Sequence, residues 1–276
     1  MLSHGRAFFF MQIKEQMKTK NVAIIGAGNL GISIAEVLVK KKKRKAENIL
    51  LSRNQIQKIE HLKKMGMMVS QKNAEIVPVA DVVILAVKPY KVLEILKEIQ
   101  PYLQPSTIIV SVATGIELAS MQKIIGNQQP IFRAMPNTAA AVSESMSCIC
   151  GNSEEGRKEV EDIFQSIGET IFITEELMNA ATVVGACGIA YVLRFIRAMI
   201  QGGIEIGFDS QTATQIVTQT VKGAAELLIQ NGLHPEQEID KVTTPKGCTI
   251  VGLNEMEHQG FSSSLIKGIK TSYEKI

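Results

Sequence analysis

The chain contains few cysteines and no long uninterrupted apolar segment. Its four cysteines are too few and too scattered for a disulfide scaffold or a metal site, and they fit a reducing, cytoplasmic location. No segment reaches the roughly 18 continuous apolar residues that a membrane span needs. A formal net charge of +3 is too mild to indicate a nucleic-acid partner. We therefore expect a globular protein that uses no metal, membrane or nucleic acid.

Two segments carry little information about the fold. Residues 1–18 contain an apolar cluster that is short for a signal-peptide core and lacks a clear cleavage site, so we expect a disordered leader. Six basic residues run from Lys40 to Lys45, where a helix should end. Because cations are favoured at helix C-termini, a solvated helix end explains this run better than an anionic partner does.

From residue 21 onward, short apolar segments alternate with helical patterns. The predicted strands are 22–25, 48–51, 82–87, 108–112, 131–134, 145–150 and 170–173. Helices are predicted between them at 29–42, 55–65 and 92–99. Strands that alternate with helices indicate an α/β domain with a doubly wound parallel sheet.

Beyond residue 174 the pattern becomes helical, at 176–207, 210–230 and 262–273. Small residues at 185–188 and 202–203 interrupt the first of these segments, which predicts two helices or one tightly packed helix. Residues 180–206 are apolar nearly all round, and such a helix must be buried. The rest of this domain offers little to bury it against, so we expect an intimate homodimer.

Gly26, Gly28 and Gly31 spell G-x-G-x-x-G directly after the first predicted strand and before a helix. In dinucleotide-binding βαβ units these glycines form a tight turn, admit the pyrophosphate and pack the helix on the strand. The pyrophosphate would meet the helix N-terminus at Asn29 and Leu30. A glycine-rich turn without a ligand is the alternative, but the context favours a Rossmann-type domain over residues 19–174.

The second predicted strand ends at Ser52, Arg53 and Asn54, without an acidic residue. NAD enzymes usually place an Asp or Glu here, whereas an arginine accommodates the 2′-phosphate of NADP. Ser52 can hydrogen-bond a phosphate, and Arg53 can bind it as a charged fork. A surface arginine without a ligand is the alternative. The sequence favours NADP(H), with NAD(H) as the weaker alternative.

Four later blocks occur in a characteristic order and spacing. They read Ala86-Val-Lys-Pro, Ser111-Val-Ala-Thr-Gly-Ile, Arg133-Ala-Met-Pro-Asn-Thr and Val242-Thr-Thr-Pro-Lys-Gly-Cys-Thr. With these blocks the chain resembles the pyrroline-5-carboxylate reductases, from about residue 21 to its end. The resemblance implies an N-terminal Rossmann domain and an all-helical dimerisation and substrate domain at 175–276. It also implies NADPH-dependent reduction of 1-pyrroline-5-carboxylate to L-proline by a homodimer, with higher assembly left open.

The resemblance implies further cofactor contacts. They are Ala86, Val87, Lys88 and Pro89 beside the ribose and pyrophosphate, Ala113 and Gly115 facing the nicotinamide, and Met135 and Pro136 flanking it. Asn137 would contribute an amide that orients the bound molecules. The alternatives are a solvated loop lysine at position 88 and a simple turn at Pro-Asn.

The implied substrate is a small cyclic imine with one carboxylate, whose reduction needs orientation and an anion site rather than a metal or a nucleophile. The implied substrate contacts are Asn137 and a turn before a helix, formed by Lys246, Gly247, Cys248 and Thr249. The Thr249 hydroxyl would hydrogen-bond the imine nitrogen and act as the catalytic group. The alternative is that Thr244 or Thr249 only caps the helix.

Some positions depart from the usual family pattern. Lys246 stands where the family commonly has glycine, Cys187 replaces a serine and Ile189 replaces a proline. Cys187 and Ile189 predict a more apolar substrate cavity, whereas Lys246 either adds a cation beside the carboxylate or points to solvent. These departures leave two alternatives to the main interpretation: a paralogue that reduces another cyclic imine, and a non-catalytic NADP-binding dimeric sensor.

Overall fold

The computed structural model describes residues 20–276, and the leader expected at 1–18 lies outside the described residues. The chain divides into two compact units, the first ending at Ala186 and the second running from Cys187 to Ile276. The first unit extends beyond the boundary predicted after residue 174, because Met178 is fully buried in its core.

An eight-stranded sheet forms the centre of the first unit, in the order β3-β2-β1-β4-β5-β6-β7-β8. The strands are β1 Val22–Ile25, β2 Ile49–Ser52, β3 Met68–Ser70, β4 Val82–Leu85, β5 Ile108–Ser111, β6 Ile131–Met135, β7 Ser145–Gly151 and β8 Gly168–Phe172. Neighbouring strands pair in parallel, apart from the antiparallel β6–β7 pair. The predicted doubly wound parallel sheet is confirmed, with one difference: the sequence does not predict the antiparallel pairing of β6 and β7.

Helices cover both faces of this sheet. They are α1 Asn29–Lys40, α2 His61–Lys64, α3 Asn73–Ile76, α4 Pro89–Ile99, α5 Leu118–Ile125, α6 Arg157–Gln165 and α7 Met178–Ala181. Every residue of β1, β2, β4 and β5 is buried. Two apolar layers result, one on each face of the sheet. This two-sided cover explains why these strands read as uninterrupted apolar runs.

The helix predicted at 55–65 is wrong. A 3₁₀ turn at Ile56–Lys58 and the short helix α2 take its place. The apolar residues Ile56, Ile59 and Leu62 recur at every third position, which fits the three-residue period of a 3₁₀ turn better than an α-helix.

The second unit is entirely helical. Its helices are α8 Gly188–Glu205, α9 Ser210–Asn231, α10 Pro235–Lys241, α11 Cys248–His258 and α12 Phe261–Tyr273. A π-helical turn, Thr182–Cys187, precedes α8 and accounts for the first predicted interruption. Gly202 and Gly203 do not divide the helix, because α8 continues through both glycines.

The described part of the helical unit has a small core of its own. Ile200, Ala213 and Val217 form its buried apolar cluster, whereas Ile206 and Ile229 are 80% and 75% exposed. Within residues 20–276, the helical run Glu175–Glu205 is also long and apolar enough to cross a membrane by length and composition. A search for continuous apolar runs misses it because polar residues interrupt it. We therefore expect another apolar surface to cover the exposed apolar side chains of this run.

Candidate active site

The first glycine turn joins β1 to α1 at the carboxyl edge of the sheet. Gly26 has a φ of +86°, and its N–H donates to the carbonyl of Ser52 over 3.1 Å. A Cβ at Gly26 would lie 2.3 Å from Val87 Cγ1 and 2.8 Å from the carbonyl oxygen of Ala86. The turn therefore packs against the end of β4 so closely that only glycine fits.

Helix α1 presents an uncapped N-terminus beside this turn. Gly28 is its N-cap residue and supplies no side-chain hydrogen bond. The N–H groups of Asn29, Leu30 and Gly31 lie in the first turn, where a helix has no internal acceptors for them. A Cβ at Gly28 would meet nothing closer than 3.9 Å, so an anion can approach the backbone here.

A cavity of about 430 Å³ opens beside the glycine turn. Its lining includes Gly26, Ser52, Arg53, Asn54, Asn73, Val87, Lys91, Glu94 and Glu98. Arg53 is half-buried, and its Nη1 donates to the carbonyl of Ala27 over 2.7 Å. That bond holds the guanidinium between the end of β2 and the glycine turn, where the sequence places a 2′-phosphate.

Ser52 is more deeply buried than a phosphate contact requires. Its side chain is buried, and its hydroxyl donates to Asn73 Oδ1 over 2.6 Å. Asn73 Nδ2 in turn donates to Glu98 Oε1 over 3.0 Å. The phosphate contact of Ser52 stays a prediction, and Arg53 is the cationic group at the end of β2.

Asn73 is a cavity residue that sequence reasoning missed. It begins α3, directly after the short strand β3. The pattern at Met68–Ser70 contains a single apolar alternation, which is too short to predict a strand. Placing β3 next to β2 would have brought Asn73 to the same sheet edge as Ser52.

The Ala86–Pro89 block lies where predicted, at the end of β4. The N–H of Ala86 donates to the carbonyl of Ile25 over 2.8 Å, so this block adjoins the glycine turn. Lys88 is exposed and stands at the N-cap of α4, and Pro89 is the first residue of that helix. The structure fits both the cofactor contact and the solvated lysine that the sequence left open.

The blocks after β5 and β6 reach the same edge of the sheet. Ala113 is buried, and Gly115 has a φ of +74° with no atom within 4 Å of the place that a Cβ would occupy. Met135 and Pro136 are also buried. Because β5 and β6 are parallel neighbours, their carboxyl ends bring these residues together.

Asn137 is bound within the protein. Its Oδ1 accepts from the N–H of Ala139 over 3.0 Å, and its Nδ2 donates to the carbonyl of Gly185 over 3.2 Å. It thereby caps the 3₁₀ turn Thr138–Val142 and ties it to the π-helical turn. The predicted orienting contact to a ligand stays a prediction.

The predicted substrate turn lies in the helical unit. The N–H of Gly247 donates to the carbonyl of Thr244 over 2.9 Å, and Lys246 is exposed with a φ of +59°. Gly247 is the N-cap of α11 and forms no side-chain cap. Cys248 and Thr249 follow as the first two helical residues, so Thr249 is not the cap of this helix.

Together these features define a Rossmann-type dinucleotide-binding protein with a separate helical unit. Residues 21–115 match the family model described as NADP oxidoreductase coenzyme F420-dependent. Residues 175–276 match the one described as pyrroline-5-carboxylate reductase dimerisation.

Known proteins resemble almost the whole chain. Pyrroline-5-carboxylate reductase 2 of Dictyostelium discoideum is 42% identical over 93% of this chain and 92% of its own length. Pyrroline-5-carboxylate reductase 1 of the same organism is also 42% identical, and this chain spans 49% of its length. The crystal structure of Plasmodium falciparum pyrroline carboxylate reductase with NADP bound gives a TM-score of 0.85 at 28% identity, covering 94% of this chain and 97% of that one. The chain belongs to the pyrroline-5-carboxylate reductase family.

Proposed function

We propose that this chain catalyses the NADPH-dependent reduction of 1-pyrroline-5-carboxylate to L-proline, the last step of proline biosynthesis. The observation that carries the proposal is Arg53, held beside the glycine turn at the end of β2 by its bond to Ala27. An arginine in that place suits a 2′-phosphate and thus NADPH. Family membership supports the imine as the substrate.

NADPH supplies a hydride for the C=N bond, and the chain supplies orientation. The uncapped N-terminus of α1 and Arg53 bind the phosphates. Ala113 and Gly115 leave room for a flat ring, and Met135 and Pro136 keep water from it. Holding the two reactants in the right geometry provides much of the rate enhancement in such a reaction.

The turn before α11 is proposed to bind the substrate carboxylate. The backbone N–H groups of Cys248 and Thr249 lie in the first turn of a helix, where a negative charge is favoured. The N–H of Gly247 already donates to the carbonyl of Thr244, so Gly247 contributes a turn rather than a donor. Lys246 adds a cation next to this turn. The Thr249 hydroxyl then donates a hydrogen bond to the imine nitrogen and helps to deliver the proton that this nitrogen gains when the imine carbon receives the hydride.

The chain forms a homodimer through its helical unit. We propose that a second copy, rather than lipid, covers the exposed apolar side chains of Glu175–Glu205, and that the dimer is cytoplasmic. The match of residues 175–276 to a dimerisation family supports this cover.

Purified protein is expected to oxidise NADPH when it is given 1-pyrroline-5-carboxylate, and to use NADH much less efficiently. The loss of absorbance of the reduced cofactor, NADPH or NADH, measures each rate. Activity only with a different cyclic imine, such as a 2-carboxylate isomer, would identify a paralogous reductase. NADPH binding without turnover on any imine would identify a sensor.

Replacing Thr249 with alanine is expected to lower kcat by about 100- to 10,000-fold, the range that one positioned proton-transfer group contributes. NADPH affinity should not change, since the cofactor contacts belong to other residues. Thr249→Ser keeps the hydroxyl and is the matched control, which should retain most of the activity. A variant that only melts earlier, with the wild-type kcat, would show that the residue has a structural role instead.

A further inference from the structure

Arg133 is a buried cation that the proposed cofactor and substrate contacts do not use. It lies in the middle of β6, and its side chain is only 4% exposed. Its register neighbours, Ser111 on β5 and Cys150 on β7, carry no charge. Burial raises the pKa of Cys150 to about 11, so this thiol stays neutral. A cation in such surroundings is costly unless it is paired.

The partner of Arg133 is Glu175, which begins the 3₁₀ turn Glu175–Leu177. Arg133 Nη1 donates to Glu175 Oε1 over 2.8 Å. The N–H of Leu118, the first residue of α5, donates to the same oxygen over 2.7 Å. One carboxylate oxygen thus joins β6, the start of α5 and the segment that leads into the helical unit.

Each of the three joined segments adjoins the proposed nicotinamide contacts. Strand β6 ends at Met135, two residues after Arg133. Helix α5 directly follows the turn that contains Ala113 and Gly115. The third segment also reaches Asn137, through the carbonyl of Gly185 in the π-helical turn. Turns of this kind occur frequently at functional sites.

We propose that Arg133 is a positioning residue for the reduction. Through Glu175 it fixes the turn at Ala113–Gly115 relative to the end of β6, and the proposed function places these two segments on either side of the nicotinamide. The assignment therefore rests on the proposed function. A displacement of about 1 Å at a reacting pair can cost on the order of 100-fold in rate. Arg133 thus controls kcat without touching the reactants.

Arg133→Met removes the guanidinium, and with it the charge and the hydrogen bond to Glu175, while keeping an extended side chain. We expect kcat to fall by about 10- to 100-fold. The primary isotope effect with C4-deuterated NADPH should rise, because hydride transfer becomes slower relative to the other steps. NADPH affinity should stay at the wild-type value, since the cavity around Arg53 is unchanged. A merely structural role would lower the melting temperature without moving the isotope effect.

Arg157→Met is the matched control. Arg157 also pairs with a glutamate, Glu154, over 2.9 Å and lies over the ring of Phe172, but it is much more exposed than Arg133. This variant should keep the wild-type kcat and isotope effect. Glu175→Gln retains an oxygen acceptor for Arg133 and Leu118, so it should keep far more activity than Glu175→Ala.

The outcomes separate this assignment from the proposed function. Wild-type turnover on the imine is measured first, and an inactive wild type would overturn both. An active wild type together with an Arg133→Met variant of normal kcat and isotope effect would overturn the assignment alone. If Arg133→Met does not fold, Glu175→Ala carries the same test, and a wild-type kcat in that variant also overturns the assignment.

Discussion

Gly26→Ala is expected to weaken NADPH binding by about 100-fold or more. At a φ of +86° a Cβ costs roughly 1–2 kcal/mol in backbone strain. The new methyl group would also lie 2.8 Å from the Ala86 carbonyl oxygen, so the backbone at the end of β4 must shift. Both effects displace the turn that admits the pyrophosphate. Because the chain has no tryptophan, the fluorescence of bound NADPH can be titrated without interference from tryptophan emission.

Two other glycines separate the causes of that loss. Gly126 has a φ of +91° with no atom within 4 Å of a Cβ, so Gly126→Ala imposes backbone strain alone and should leave NADPH affinity unchanged. A Cβ at Gly28 would meet no protein atom closer than 3.9 Å. Gly28→Ala should therefore keep the stability of the wild type, while its methyl group blocks the approach of the pyrophosphate. If Gly26→Ala binds NADPH as tightly as the wild type does, the proposed pyrophosphate site is wrong.

Arg53→Ala should weaken NADPH binding by roughly 10- to 100-fold, because a hydrogen bond to a charged group contributes about 1.5–3 kcal/mol. NADH lacks the 2′-phosphate, so its affinity should change little. The ratio of the two dissociation constants, measured by the same titration, is the decisive quantity. Arg53→Lys keeps the charge without the fork and should give an intermediate ratio. Equal losses for both cofactors would refute the 2′-phosphate contact.

The parts of the fold that the sequence predicts depend on local signals. Strand β1 and the turn at Gly26 are recognisable because a strand buried on both faces is apolar throughout and the glycines follow it directly. The helical unit is recognisable because the pattern of apolar residues becomes helical beyond residue 174. Its apolar surface also leads to the expectation of a dimer, which agrees with the dimerisation family that residues 175–276 match.

What the sequence does not reveal depends on long-range packing. Arg133 and Glu175 are 42 positions apart, and no local pattern pairs them. Asn73 reaches the cavity only because β3 lies beside β2. The left-handed backbone of Lys246 likewise has no signature in its residue type, since lysine rarely adopts that conformation. These contacts and this backbone conformation exist only in the folded sheet and turn, so no local sequence pattern predicts them.

The end of the first unit at Ala186 determines how the chain can be dissected. A fragment that stopped at residue 174 would leave the guanidinium of Arg133 buried without its carboxylate. It would also lack the side chain of Met178, which fills the core, and the Gly185 carbonyl, which accepts from Asn137. Any transplant of the nucleotide-binding half into another protein must therefore carry residues through 186. The first turns of the segment that matches the dimerisation family belong structurally to the half that binds the cofactor.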